Sequence, residues 1–317
     1  MAAVSDRDRG QLIIVGGLAL AVTLVAVALV LNAAIYTENL ASRDDADRID
    51  DANAARNDVR AGLVGAVEHA DDSQSFADQT DDVNASMDEI ENESGYYAAQ
   101  GGASLSVGNV SYEEGRRLAR DSEGQFVSPD AGQTTYPLVD DGTVHEHSMN
   151  VSKDSLRERG EITDPISDLT GDDVFNATYS NASSGVERSV FVYNESNEVT
   201  VEVYDENGDR IGSVCNASAT DGHAAVDVTE GTVAGDSCAA LESFDPLGST
   251  YDLEYGSTAN ADGTYEVTAN VTGGTAHDQH APDSSATILA AETTITYRSP
   301  ELYYETTIRY EPGDAIA

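Results

Sequence analysis

From Leu12 to Leu31 the chain runs for 20 residues without a charged side chain. Thr23 is the only polar member of the run, and a threonine hydroxyl satisfies itself in a helix by donating back to a carbonyl one turn earlier. At about 1.5 Å of rise per residue, a helix of that length covers about 30 Å, the depth of a bilayer's hydrocarbon core. A cleaved secretory signal has a shorter apolar core, of about 7–15 residues, followed by a cut between small residues. Asn32, Ala33 and Ala34 keep that alternative open, but the length favours a retained transmembrane helix over residues 11–34. Arg7 and Arg9 precede the run, whereas the next basic residue, Arg43, is followed at once by Asp44 and Asp45. The positive-inside rule therefore puts residues 1–10 in the cytoplasm as a short leader and the rest of the chain outside, as a single-pass cell-membrane protein.

Asparagine spacing supports the same orientation. Asn-x-Ser/Thr triplets occur at Asn84, Asn92, Asn109, Asn150, Asn176, Asn181, Asn194, Asn216 and Asn270. Ser and Thr make up about a sixth of the chain, so its 16 asparagines should give about three such triplets by chance. All nine lie beyond the apolar run, as N-glycosylation of an exterior domain requires. The two cysteines, Cys215 and Cys238, fall in the same region on either side of a short apolar stretch. Outside the cell they are expected to oxidise to a disulfide, contributing about 3 kcal/mol through loop closure.

The chain sets 58 acidic residues against 16 basic ones, for a net charge of −42, and Lys153 is its only lysine. Disorder is one outcome of such a charge, but 40% of the residues are apolar and many alternate as strands do. Calcium or cationic partners are another, yet the acids are scattered without cage spacing. Concentrated salt is the third: the Debye length falls to about 3 Å and the self-repulsion is screened. The acidic, lysine-poor composition resembles that of proteins from halophilic archaea. A nucleic acid partner is not expected, because phosphate binding needs a basic patch.

The flank of the apolar run carries a sharper pattern. Arg9-Gly10-Gln11-Leu12 resembles the class III signal of archaeal prepilins: a basic residue, a small residue, the cut, then the hydrophobic helix. The resemblance implies cleavage between Gly10 and Gln11 by a prepilin peptidase on the cytoplasmic side, with the whole helix kept on the mature protein. Through Ala33-Ala34-Ile35-Tyr36-Thr37-Glu38-Asn39 the stretch also resembles the opening of haloarchaeal type IV pilin-like surface proteins of uncharacterised function. Type IV pilins usually carry glutamate at the fifth mature position, where this chain has Val15. That departure points to a minor pilin or a plain anchor rather than the main subunit of a long filament.

Beyond the run, residues 35–94 read as a helical stalk. Ile49, Ala52, Val59, Leu63 and Val67 form a thin apolar stripe at helical spacing, and Phe76, Thr80, Val83, Met87 and Ile90 form a second. Asp72 or Ser73 is the expected cap of the second helix and Gly95 its expected end. Residues 95–311 turn to β. In "EVTVEVYDENGDRIGSV", Val199, Val201 and Val203 share a face and Asn207-Gly208 makes a hairpin turn. "ETTITYRSPELYYETTIRYEP" predicts another hairpin, turning at Ser299-Pro300. The stretch from Asp121 to Ser189 looks loop-rich and receives no sheet position, and residues 312–317 form an acidic tail. The expected fold is α+β: a transmembrane helix continuing into a stalk, then an antiparallel β-sandwich-like extracellular domain.

The sequence contains no nucleophile elbow, no zinc helix and no phosphate loop. His145 with His147, and His277 with His280, invite a metal reading, but their polar, turn-like context predicts exposed histidines without a metal. "DENGD" (Asp205 to Asp209) opens like a calcium loop but lacks the glutamate at the twelfth position. The chain is therefore expected to be a non-enzymatic surface glycoprotein without a cofactor. Its expected partners are the lipid bilayer, a prepilin peptidase and other pilin-like subunits of a type IV pilus-like or secretion assembly. The alternative is a non-polymerising anchor whose β domain binds a partner or ligand.

Overall fold

The computed structural model describes residues 6–70, 74–162, 174–242, 247 and 250–311, with backbone only at 6–19, 22 and 33–47. The first five residues of the leader, the expected caps Asp72 and Ser73, and the acidic tail lie outside the described residues. One helix, α1, runs without interruption through the apolar segment and the first stripe, from Asp6 to Glu68. A second, α2, spans Phe76–Gln100.

The cap of α2 is Ser75, whose hydroxyl oxygen accepts from the Asp78 amide at 3.3 Å while its proton goes to the Asp78 carboxylate at 2.6 Å. The hydroxyl thus caps the helix and is itself held by the Asp78 carboxylate. Gly95 does not end α2, contrary to expectation. The helix goes on to Gln100, and the amides of Gly101 and Gly102 close it on the carbonyls of Ala98 and Ala99. A glycine inside a helix costs only about 1 kcal/mol, whereas the left-handed backbone that ends this one needs Gly102, with φ of 77°.

The remainder is β: β1 (Ser104–Val107), β2 (Ser111–Gln125), β3 (Tyr136–Ser152), β4 (Asn176–Asn181), β5 (Val186–Glu195), β6 (Glu198–Asp205), β7 (Arg210–Ser218), β8 (His223–Asp227), β9 (Thr232–Val233), β10 (Asp236–Ser237), β11 (Tyr251–Gly256), β12 (Asp262–Asn270), β13 (Thr275–Ala276), β14 (Asp283–Arg298) and β15 (Tyr303–Tyr310). Their order is β1-β14-β2-β12-β3-β11-β4-β5-β6-β7, with β15 on β14, β8 and β13 on β3, and β9 and β10 beyond β8. All these pairs are antiparallel.

β3 joins the two halves of this array. Its residues up to Gly142 pair with β11, and from Thr143 onward it pairs with β12. The changeover falls where Asp141 takes φ of 50° and where a Cβ on Gly142 would sit 2.5 Å from a Val139 methyl. The chain can bend that tightly only with glycine there. The end of β2, all of β3 and β4 and the start of β5 fall between Asp121 and Ser189, which corrects the expectation of a loop-rich stretch. Pro137 and Asp140-Asp141-Gly142 are turn-forming residues, but here they lie where a strand changes sheets and not where one ends. Charged β2, "SYEEGRRLARDSEGQ", hid because its polar residues outnumber the few that it buries.

Two hydrophobic clusters result. The larger draws on both halves of the array, including Leu118, Tyr136, Val151, Val190, Val201, Leu253 and Val267. The second gathers Ala52, Val59, Leu63 and Val67 of α1 and Val83 and Met87 of α2 against Leu105, Ile288, Ala291, Ile295, Tyr297 and Ile308. The expected stripes are therefore the buried faces, except that Ile49 is 52% exposed. The stalk does not stand clear of the β domain; it lies on β1, β14 and β15, and an ion pair from Arg48 to Glu301 secures α1 beside the last hairpin.

Leu63 is fully buried in the second cluster. Its replacement by alanine is expected to cost about 2–5 kcal/mol in denaturant unfolding of the whole protein. A stalk independent of the sheet would leave the main transition where it was.

Candidate functional site: the exposed helix and the closed β core

Within α1, the described side chains differ in burial between its two halves. Leu20, Leu24, Val25, Val27, Leu29, Val30 and Leu31 are each between 55% and 68% exposed. About six to nine turns further on, Ala52, Val59 and Leu63 are at 1%, 0% and 0%. The Thr23 hydroxyl donates to the Leu20 carbonyl at 2.8 Å, one turn back along the helix. Among the described residues no helix is long and apolar enough to cross a membrane. Residues 12–19 and 22 of the apolar run have no described side chains. The same holds for Arg9, Gly10 and Gln11 of the expected processing site and for Val15, which lie on the helical backbone.

Cys215 on β7 and Cys238 after β10 form a disulfide, with Cα atoms 5.8 Å apart across a separation of 23 residues. It ties the end strand of one half of the array to the β8–β10 meander on the other. "DENGD" is the β6–β7 turn. The Asp205 carboxylate accepts from the amides of Asn207 and Asp209, each at 2.9 Å, and these bonds hold its pKa below the ordinary range. The oxygens that resembled a calcium loop are thus turn acceptors. Among the described residues no group of three His, Cys, Asp or Glu side chains could hold a metal ion.

The histidines depart most from expectation. His145 is exposed, but its strand neighbour His147 is fully buried. One ring nitrogen of His147 meets the Tyr179 hydroxyl, and the other meets the Tyr255 hydroxyl at 2.7 Å. A neutral imidazole suits both partners, donating to one oxygen and accepting from the other. Burial pushes its pKa down to about 3. The two residues lie two apart in sequence, yet they do not share a face, because β3 and β12 shift register between Thr268 and Ala269 just opposite. His280 is also buried, bonded to the Ser128 hydroxyl at 2.8 Å and packed on Tyr136. His277 pairs with Asp140 at 2.8 Å. The predicted histidine pairs therefore do not converge on one site. Around His147 the aromatic core continues through Phe126, Phe175, Tyr136 and Tyr265, which contact Tyr255.

The nine sequons divide by exposure. Asn84, Asn92, Asn109, Asn150 and Asn216 are exposed. Asn176 and Asn194 are 7% and 8% exposed, with amide nitrogens turned to the carbonyls of Val174 and Lys153. Asn181 spends both amide hydrogens on the carbonyls of Leu247 and Thr250, at 2.7 and 2.8 Å. Asn270 donates to Glu113. Glycosylation of Asn176 and Asn194 is incompatible with this fold, and Asn181 has no hydrogen left to exchange for a sugar. A triplet search sees the acceptor but not which way its amide points.

Residues 6–124 match a family model described as a family of unknown function (DUF7261). The match takes in both helices, β1 and nearly all of β2. No curated protein matches the chain.

Two outcomes follow from the core. His147 keeps its neutral form in the fold while the unfolded chain protonates near the ordinary 6.5. Its contribution to stability is whole above that pH and is lost by about 1.4 kcal/mol per pH unit as pH falls towards 3. In unfolding titrations at fixed molar salt, His147→Gln is expected to flatten the dependence between pH 6.5 and 5 by about one proton. Reduction of Cys215–Cys238 is expected to lower stability by about 3 kcal/mol, read as an earlier denaturant midpoint.

Proposed function

We propose that this chain is a membrane-anchored, pilin-like structural subunit of the cell surface. It is held in the bilayer by the first half of α1 and presents the β domain outside. One observation carries the proposal: a single helix, Asp6–Glu68, exposes apolar side chains in its first half and buries a stripe of the second half in the folded head. An apolar surface of that size in water is unfavourable at about 25 cal/mol per Å², and a bilayer removes the cost. Because no break separates the halves, a load on the head passes directly into the anchor. The class III pattern at Arg9-Gly10-Gln11 makes the same helix the route into a type IV pilus-like or secretion assembly. The acidic surface, with a net charge of −42, suits an exterior of concentrated salt.

A second role, a non-polymerising anchor whose β domain meets a partner, is favoured by Val15 standing where pilins usually carry glutamate. Catalysis has little support, since His147 and His280 are bonded inside the core.

N-terminal sequencing of the protein isolated from membranes is expected to begin at Gln11. A start at Met1, or near Ile35, would remove the pilin reading. Shearing of cells separates the two roles: release in filaments supports the assembly subunit, and full retention in the membrane supports the lone anchor. Glycopeptide mass spectrometry is expected to find sugar at exposed sequons such as Asn84 and Asn109 and none at Asn176, Asn181 or Asn194.

A further inference from the structure

We propose that β15 is a self-recognition edge, pairing antiparallel with β15 of a second copy about a two-fold axis through Thr307. Among the described residues β15 is hydrogen-bonded to β14 alone, from Arg298↔Tyr303 to Ala291↔Tyr310, without a register shift. Its outer edge from Tyr303 to Arg309 therefore offers a row of backbone donors and acceptors, in which the Thr307 carbonyl has a long contact of 3.5 Å from the Thr306 hydroxyl. Exposed edges are normally blunted by a bulge, a proline, charged side chains (lysine above all) or a very short strand. "YYETTIRY" has no bulge, proline or lysine; Glu305 and Arg309 are its two charges, and the rest is aromatic or β-branched. The opposite end of the array differs, because Cys215 ties β7 to the segment after β10.

The two charges select the occupant and its direction. Glu305, Thr307 and Arg309 are all exposed, whereas Ile308 is buried and Tyr304 and Tyr310 pack in the cluster beneath the helices. With Thr307 opposite Thr307 of the second copy, Glu305 faces Arg309 twice, Tyr304 faces Tyr310 twice, and Thr306 faces Ile308. Opposite charges and aromatic pairs across strands each add about 0.2–1 kcal/mol. A parallel pairing in the same register would set Glu305 on Glu305 and Arg309 on Arg309. Both side chains already have neighbours: Glu305 accepts from the Tyr303 hydroxyl, and Arg309 reaches Glu311 at 2.8 Å and Glu113 at 3.6 Å. These are contacts at the surface, which exchange at little cost. Two copies each carrying −42 repel at low salt, so the pair forms where salt screens them.

The axis of such a pair stands perpendicular to the sheet and reverses every direction lying in it. α1 lies along the sheet through Ala52, Val59, Leu63 and Val67, so the helices of the two copies leave in opposite directions. Resting on the anchoring proposed above, this geometry joins copies held in facing membranes.

The disulfide leaves the native protein without a free thiol, so an introduced cysteine is the only one. In the full chain in detergent and molar salt, Thr307→Cys is expected to cross-link as a dimer under mild oxidation, because facing residues of paired strands lie within disulfide reach. Tyr303→Cys, on the same exposed row, would lie about 27 Å from its counterpart and is expected to cross-link about tenfold more slowly. Added to Thr307→Cys, either Glu305→Arg or Arg309→Glu should slow the reaction, and the two together should restore it. Equal rates for the two cysteine variants, or no restoration by the double exchange, overturn the pairing whatever becomes of the anchor. On cells, cross-linking should rise when a dilute suspension is packed into a pellet. A yield unchanged by packing, with cross-linking intact in detergent, overturns the facing-membrane geometry and leaves the edge pairing supported.

Discussion

The burial of one narrow stripe of α1 organises the molecule. Ala52, Val59, Leu63 and Val67 give up water for β14, β15 and the first turns of α2. Each is small or branched, so the helix can lie close to the sheet, and Gly62 lets Ile90 of α2 approach within what would be 2.4 Å of a Cβ. At about 25 cal/mol per Å² of apolar surface, such a contact adds to the helix-favouring alanines of the segment and offsets its Asp, Asn and Gly residues, which disfavour a helix. It also couples the exposed half of the same helix to everything downstream. Remove the stripe and the head becomes a sheet with one uncovered layer, while the apolar half becomes a tether.

The β domain solves a separate problem, how to close a large antiparallel array without a tryptophan and with few phenylalanines. Its answer is a tyrosine-rich core around Tyr136, Tyr179, Tyr255 and Tyr265. Tyrosine adds packing area but brings a hydroxyl whose burial is costly unless it is bonded, and Tyr265 carries that cost among the described residues. His147 meets two of these, and the Phe126 carbonyl accepts from Tyr136. The histidine is therefore part of the core's hydrogen bonding, and a metal there would have to displace both hydroxyls.

Much of the β domain was legible because its turns are written in local chemistry. Asn207-Gly208 and Ser299-Pro300 close the hairpins where alternation predicted, with Tyr204↔Arg210 and Arg298↔Tyr303 as their first pairs. Val199, Val201 and Val203 are all fully buried. β3 was not legible, since Pro137 and Asp141-Gly142 carry the same local signal whether a strand stops or crosses to a second sheet. The histidines failed for a related reason. Period two assumes an unbroken pleat, and the register shift beside His147 turns it inward while His145 stays outside.

What the sequence determined by itself are the features held in consecutive residues: the 20-residue apolar run, the two amphipathic stripes, the hairpin turns and the oxidisable cysteine pair. Each depends on a repeat or a spacing along the chain, which folding preserves. Tertiary structure alone decided what those stripes cover, which sequons keep a free amide, and that β3 stitches two sheets together. These depend on which distant segment arrives alongside. Here that partner is chosen by burial and hydrogen-bond satisfaction summed over many residues, a sum that no local pattern contains.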